Sequence, residues 1–403
     1  MQGFFSSEEV QSTTRKSKHE SCAYCGLYKH VKSPQMEPFG DFKKKIMTVG
    51  EAPGESEDVR GRQWQGKVGQ RLQRALRGLD IDLFRDCLSI NSINCRPTDA
   101  KGSNRPPESK EIACCRSRVL KTINEYHPHV ILAFGGAAVE SLIGYRWKKD
   151  LGGIFKWRGW AIPDRDLNAW LCLVFHPSFT ERGEKEVETV WMQDLEHALS
   201  MTNHALPKFE DESKQVEIIT DLSCLDDIQS PFAWDLETTG LKPHAQSVHR
   251  IICMSVYDGR RCVVFMMPTD ARNTKHLRRL LQSNKKKIAS NMKFETTWAL
   301  NCLDIEITDW LFDTMLASHI LDNRPDITSI KFQTLVNFGV FDYASEIASY
   351  LKSIDKKNGN SVNRIDELLK SEELTQKLLV YCGLDSIFEY KVAMVQMKQL
   401  GMS

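Results

Sequence analysis

The 403-residue sequence has no apolar run that approaches membrane-spanning length, which excludes a helical membrane protein. Its first twenty residues are polar and mixed in charge, with no apolar signal-peptide core, so the expected location is the cytoplasm. It also lacks a charge excess. Lys and Arg number 54 against 53 Asp and Glu, a net charge of +1, so only local patches can speak for or against a polyanionic partner. Internal repeats and low-complexity tracts are absent as well, leaving ordinary globular domains. Hydrophobic content of 41% and charged content of 27% fit that class, and the length suits two domains, each with its own core.

Cysteine, by contrast, is plentiful. Twelve thiols in a cytoplasmic chain point to reduced, catalytic or metal-bound cysteines rather than disulfides. Cys172, Cys253, Cys262 and Cys382 lie within apolar runs and read as buried packing residues. Four others form a pattern of their own.

Periodicity divides the chain in two. Strand-like runs at Ile46–Val49, Cys87–Asn94, His129–Phe134 and Leu171–Phe175 alternate with helical stretches at Val68–Leu79, Glu108–Tyr126, Ala137–Ile143 and Glu184–Ser200. This alternation predicts an α/β domain over residues 1–204, with a parallel sheet covered by helices on both faces. A polar stretch at 205–230, holding one strand at Val216–Thr220, is the expected linker. Residues 231–403 open on the strand Phe232–Leu236 and a hairpin, Ile251–Val256 with Cys262–Met267, turned by Asp258-Gly259. Helices then dominate, at Thr274–Gln282, Phe294–Leu300, Thr314–Leu321 and from Ser371 to about Gln399. Lys43–Lys45 and Lys285–Lys287 read as solvated charges at strand edges, with contact to phosphate the alternative for either.

Val49–Gly69 is the most informative tract. A strand runs into Gly50-Glu51-Ala52-Pro53-Gly54, then carboxylates, then a glycine-punctuated basic loop, as expected of a ligand pocket at a strand's carboxyl end. Gly54, Gly61 and Gly66 would let backbone approach that ligand. Upstream lies Cys22-x-x-Cys25; downstream come Cys95, in N-S-I-N-C-R-P, and Cys115, in C-C-R-S-R, with Cys114 its competitor. Paired spacing is the habit of zinc sites, whereas a 2+1+1 distribution suits an iron–sulfur cluster better.

Together, C-x-x-C, G-E-A-P-G-x-x-E-D, N-x-x-x-C-R-P, N-R-x-P and H-P-S, in that order, resemble the family 4 uracil-DNA glycosylases across about half the chain. The resemblance implies a uracil-DNA glycosylase fold and a [4Fe–4S] cluster on Cys22, Cys25, Cys95 and Cys115. It implies DNA as the partner, with uracil flipped from the stack into the pocket. Asn91 would read uracil by donating to O4 and accepting from N3–H. His176 would donate to the charge developing at O2, and Ser178 and Arg182 would clamp phosphate. Ala52 stands where family 1 relatives carry a water-activating Asp, so the general base falls to Glu51, acting with Asn104. Glu57 would exclude thymine's methyl, and Trp64 replaces the Phe that stacks on uracil, with bulk enough to narrow or fill the pocket.

In the second half, Asp235 and Glu237 share one face of a strand, where paired carboxylates repel unless they share cations. Asn291-Met-Lys-Phe-Glu295 joins a strand to a helix, and Tyr381-x-x-x-Asp385 spaces its pair one helical turn apart. With Phe312-Asp313-Thr314, this set resembles the DEDDy 3′→5′ exonucleases, above all the proofreading domain of A-family DNA polymerases. That implies a ribonuclease H-like mixed-sheet fold. Two Mg²⁺ or Mn²⁺ ions would sit on Asp235, Glu237, Glu295 and Asp385, with Tyr381 orienting the attacking water. Glu295 departs from the family's Asp and predicts weakened activity.

The combined expectation is a DNA repair and replication protein joining uracil excision to 3′-end trimming. The chain ends soon after the Tyr381–Asp385 helix, so a separate DNA polymerase or other replication protein is the expected partner, as in a viral or phage replication set acting in the host cytoplasm. The alternative is an exonuclease whose glycosylase fold only binds DNA or a replication partner, a reading that rests on Trp64 and on the loop between Cys95 and Asn104, longer than is usual in the family.

Overall fold

The computed structural model describes residues 22–147, 149–180, 185–245, 248–355, 357 and 359–402. Two compact units emerge, Met1–Pro207 and Lys208–Ser403. No described helix is long and apolar enough to cross a membrane.

The first unit is built on a five-stranded sheet in the order β2-β1-β3-β5-β4. Strands β1 (Ile46–Gly50), β2 (Cys87–Asn91), β3 (Val130–Phe134) and β5 (Ala169–Val174) run parallel. β1 to β3 are buried at every position, as expected where a parallel sheet is covered on both faces. β4 (Ala161–Asp164) pairs antiparallel at the edge, so the sheet is mixed rather than wholly parallel. Its four residues and internal Pro163 carry no clear strand pattern, and an edge position tolerates the proline. Ile46, Val130, Leu132, Phe134, Cys172 and Val174 pack with Leu72 and Leu76 of helix α2 and Trp191 and Leu195 of α4. Helix α1 spans Glu55–Arg60, α2 Lys67–Arg77, α3 Ser109–Tyr126 and α4 Lys185–Ser200. The expected strand Cys87–Asn94 stops at Asn91, because Ser92 turns back to bond the Gly50 carbonyl through its N–H (2.8 Å) and hydroxyl (2.7 Å).

The second unit carries a six-stranded mixed sheet, β11-β10-β7-β8-β9-β6. β7 (Phe232–Thr238), β8 (Ile251–Tyr257) and β9 (Cys262–Met266) form an antiparallel meander, turned after β8 at Gly259 with φ +87°. β10 (Lys287–Ala289) and β11 (Trp310–Asp313) add in parallel on the other side of β7. β6 (Val216–Ile218), from the segment read as a linker, pairs parallel with β9 as part of this sheet. The helices are α5 (Ala271–Leu281), α6 (Met292–Trp298), α7 (Thr314–Leu321), α8 (Ile330–Phe338) and the long α9 (Glu372–Gln399). α9 lies against the sheet: the Cys382 carbonyl accepts from Ser255 Oγ at 2.7 Å.

One surface expectation fails. Lys287 is fully buried, because β10 is an interior strand, and its ammonium donates to the Ser283 and Lys285 carbonyls at 2.7 and 2.9 Å. A charge run shows solvated residues only where its strand is at an edge, and sequence cannot say which strands pair on both sides.

Candidate active sites

In the first unit, the carboxyl ends of β1, β2 and β5 bring the motifs together, at the place where parallel α/β sheets bind ligands. A cleft of about 320 Å³ there is lined by Gly54, Glu57, Trp64, Asn91, Asn104 and His176, among others. That is the small end of the range for ligand pockets. Asn91 ends β2 and is 3% exposed, yet its side-chain N–H groups find no partner in the protein. An orphaned buried donor of this kind costs stability unless a ligand satisfies it.

His176 follows β5. Its Nδ1 accepts from the Ser178 N–H (3.4 Å) and lies 2.7 Å from Ser178 Oγ, which leaves the proton on Nε2. Burial pushes its pKa down to about 4, so the ring is a neutral donor at physiological pH. Gly135, at φ +80°, closes in behind it; a side chain there would meet His176 Cβ at 3.0 Å. Ser178 thus orients His176. Arg182 lies outside the described residues.

The loop after β1 is held by Glu57. Its carboxylate accepts from the Gly54 N–H (2.6 Å) and from the Trp64 N–H, tying the start of α1 to the loop before α2. Burial raises the Glu57 pKa, and these backbone donors oppose the rise. Trp64 is only 4% exposed; its Nε1 donates to Thr48 Oγ1 at 3.1 Å and its ring lies edge-on to Phe134 and stacked near His176. Its bulk is therefore sunk into the core beneath the cleft, which stays open. Asn104 is brought in by the antiparallel bridge to Thr98 and by Arg96, whose Nε donates to Asn104 Oδ1 at 2.6 Å. With that oxygen engaged, the Asn104 amide presents its N–H groups toward Gly54 and the cleft. Glu51 is half-buried and its pKa is raised by burial, but it is not part of the cleft lining.

Beside this cleft, the thiols of Cys22, Cys25, Cys95 and Cys115 are close enough to feel one another's charge. Cys95 Sγ accepts the Gln35 N–H at 3.2 Å, and the Asn94 N–H supports Cys115. Burial pushes Cys115 up to about 12, so only a bound cation would keep it as thiolate. One tetrahedral Zn²⁺ needs its sulfurs about 3.8 Å apart. Among the described residues no three of these thiols come within 4.8 Å of one another, wider than that spacing.

In the second unit, β7 and α9 face each other across a carboxylate cluster. Ligand atoms of Asp235, Glu237 and Cys382 lie within 4.8 Å of one another; the two carboxylates are oxygen donors that suit a hard divalent cation, while the Cys382 thiol, held protonated by burial, does not add to that set. Burial raises Asp235 and Glu237 well above the ordinary carboxylate range, followed by the negative charge of Asp385 acting on Asp235 and that of Asp235 acting on Glu237. Glu295, on α6, is raised by burial and by Asp235, and its Oε2 has no partner. Asp313 positions that helix. Its carboxylate accepts from Asn291 and Met292 N–H (3.0 and 2.9 Å) at the start of α6 and from Met315 and Leu316 N–H at the start of α7. That accounts for Phe312-Asp313-Thr314 as a clamp.

Three further residues join the cluster without any signal in the motifs. Glu389, one turn beyond Asp385 on α9, is 2% exposed, has an unpartnered Oε2 and is raised by burial and by Asp235. Tyr343 donates its hydroxyl to Asp385 Oδ1 at 2.5 Å, and Lys331 donates to the same oxygen. Only the i, i+4 spacing of Glu389 from Asp385 was available to find any of them.

The uracil DNA glycosylase superfamily profile matches residues 37–196. The type-4 uracil-DNA glycosylase of Pyrobaculum aerophilum is 33% identical over 164 residues, covering 40% of this chain and 79% of the relative. The chain belongs to the type-4 uracil-DNA glycosylase family. Its Thermotoga maritima relative, also a type-4 uracil-DNA glycosylase, is 32% identical over 167 residues and is likewise covered to 79%. The 3′-5′ exonuclease profile matches residues 208–399, the second unit of this glycosylase chain. Escherichia coli RNase D, at 16% identity and TM-score 0.32, aligns with 46% of the chain and 46% of its own length. The glycosylase half thus holds the Asn91–His176 cleft, and the exonuclease half the carboxylate cluster.

Proposed function

We propose that the chain hydrolyses the N-glycosidic bond of deoxyuridine in DNA with its first half and removes 3′-terminal nucleotides with its second. The unpartnered Asn91 amide beside a neutral His176 carries the first assignment, because both are donors prepared for a base that the cleft must capture. Asn91 reads the uracil edge. His176 Nε2–H donates to O2 as negative charge gathers on the leaving base, the kind of stabilisation that is commonly the largest catalytic contribution. Glu51, its pKa raised toward the working range, accepts a proton from water, and the Asn104 N–H groups orient that water. Glu57 keeps the loop shaped, and thymine would have to push it off its backbone donors.

The buried, mutually repelling carboxylates carry the second assignment. Asp235, Glu237, Glu295 and Asp385 would hold two Mg²⁺ or Mn²⁺ ions, which supply an activated water and neutralise charge at the leaving 3′-oxygen. Tyr381, raised well above its ordinary pKa by burial and by Asp385, stays a neutral hydroxyl that can orient that water. A separate DNA polymerase would supply the 3′ ends. Cys22, Cys25, Cys95 and Cys115 would hold a [4Fe–4S] cluster that pins the N-terminal segment to α3. Cys95→Ser is expected to remove the brown colour of anaerobically purified protein, checked by its visible absorption spectrum.

The deciding experiment uses an end-labelled oligonucleotide with one internal uracil, incubated with EDTA or with Mg²⁺. Abasic sites should form in both, and laddering from the 3′ end in Mg²⁺ alone. Survival of uracil at high enzyme concentration while laddering proceeds would sink the first assignment.

A further inference from the structure

The exonuclease cluster contains a cation that neither the carboxylates nor Tyr381 accounts for. Lys331 projects from α8 with a side chain only 11% exposed. Its ammonium donates to Asp385 Oδ1 and lies 3.1 Å from the Tyr343 hydroxyl, which donates to the same carboxylate oxygen. The rings of Tyr343 and Tyr381 both meet it, 4.2 Å from each centroid, with the two centroids 5.9 Å apart, so they form two walls of a corner around the ammonium. Its charge reaches Asp235, Glu237 and Glu389, where it opposes the upward shift that burial causes. An ammonium that enclosed is a built feature of the site.

We propose that Lys331 is a phosphate-binding residue of the exonuclease, held on Asp385 until Asp385 turns to a divalent ion and the DNA 3′ end arrives. Asp385 Oδ1 already accepts from Lys331 and Tyr343, so an ion drawn to this carboxylate meets the Lys331 charge at close range, and like charges that close repel strongly in a buried site. Once Asp385 is engaged elsewhere, Lys331 keeps only a neutral hydroxyl and two aromatic faces. A buried ammonium without an anion is costly, and the anion that the reaction brings to this place is the terminal phosphodiester. The two rings retain the ammonium while it exchanges partners. Lysine suits such an exchange, because a point charge on a flexible four-carbon stem can pass between oxygens, whereas the planar fork of arginine prefers one fixed geometry. Transfer of Lys331 to the phosphate places positive charge beside the bond that breaks, which complements charge spreading to the leaving oxygen.

The inference rests on the exonuclease assignment. The test is binding of a 3′-labelled single-stranded oligothymidylate to the full chain as a function of KCl, in Ca²⁺ and in EDTA, for wild type and Lys331→Met. Each phosphate contact on a single strand contributes about 0.7 to the slope of log K against log salt. Contacts made by the glycosylase half are common to both proteins and cancel. Wild type should exceed Lys331→Met by about 0.7 in slope with Ca²⁺ and match it in EDTA. Lys331→Arg should keep the wild-type slope in Ca²⁺ while trimming more slowly in Mg²⁺. Equal slopes in Ca²⁺ would overturn the proposal, and so would a difference that persists in EDTA, since Lys331 would then not be held by Asp385. Where the Met variant fails to fold, Lys331→Gln, which retains a polar group for Tyr343, gives the same readout. Wild type that trims no 3′ ends in Mn²⁺ defeats the exonuclease assignment itself; normal trimming with equal slopes defeats this inference alone.

Discussion

Asp385→Asn is expected to slow Mg²⁺-dependent removal of 3′-terminal nucleotides by about 10³-fold or more, while leaving uracil excision at the wild-type rate. The amide keeps the shape of the carboxylate and a carbonyl oxygen for Lys331 and Tyr343, so α8 and α9 should stay packed. What it loses is the negative charge that a divalent ion needs. Metal-ion stabilisation of charge on a phosphoryl centre is worth several kcal/mol, and each 1.36 kcal/mol is a factor of about ten in rate. The measurement is single-turnover trimming of a labelled oligonucleotide, run beside uracil excision in EDTA on the same preparation. A fall in both activities together would mean that the substitution unfolds the chain. A residual exonuclease rate within tenfold of wild type would remove Asp385 from the metal site.

The second large effect is on the other half. His176→Ala is expected to reduce uracil excision by about 10²–10³-fold, the usual cost of removing one oxyanion donor. Its pH behaviour separates this role from a proton-transfer role. With its pKa pushed down to about 4, His176 is already neutral at pH 6.5, so excision by wild type should show no step at the ordinary histidine pKa. The acid limb should instead follow Glu51, whose pKa burial raises above the ordinary carboxylate value and which must be ionised to take a proton from water. Folding is linked to the same histidine with a definite sign. Between pH 6.5 and about 4 the unfolded chain holds a proton on His176 that the folded chain refuses. His176 therefore costs nothing above pH 6.5 and weakens the first unit progressively as pH falls through that window. His176→Ala should remove this part of the acid sensitivity, as read by urea unfolding at pH 7 and pH 5. A bell-shaped excision profile with a limb near 6.5 that vanishes in His176→Ala would make His176 a general acid instead.

Much of the site was legible because its chemistry is written in short spacings. Asn91-x-x-x-Cys95, His176-Pro177-Ser178 and Tyr381-x-x-x-Asp385 each place two functions on one local element, and local geometry preserves them. Glu57 was legible as a pocket residue, but its engagement with the Gly54 and Trp64 N–H groups was not, since those bonds exist only once the loop closes. Trp64 was misleading for a similar reason. Indole bulk signals a filled pocket in a sequence, whereas the fold sinks the ring against Thr48 and Phe134.

The sequence by itself determined which chemical groups are present, most of the strands and helices that carry the motifs, and the family of the first half, but not β11 or α8, which carry Asp313 and Lys331. Periodicity and motif spacing are properties of neighbouring residues, and they survive without knowledge of the fold. Only the tertiary structure decided which of those groups meet. Lys331 lies 54 residues from Asp385 and Tyr343 lies 42, on segments with no motif of their own. Lys287 became buried because its strand has partners on both sides. Ser178 gained a role in orienting His176 because its hydroxyl lies within reach of Nδ1. Long-range pairing and desolvation set those outcomes, and both arise only when the chain has closed around its core.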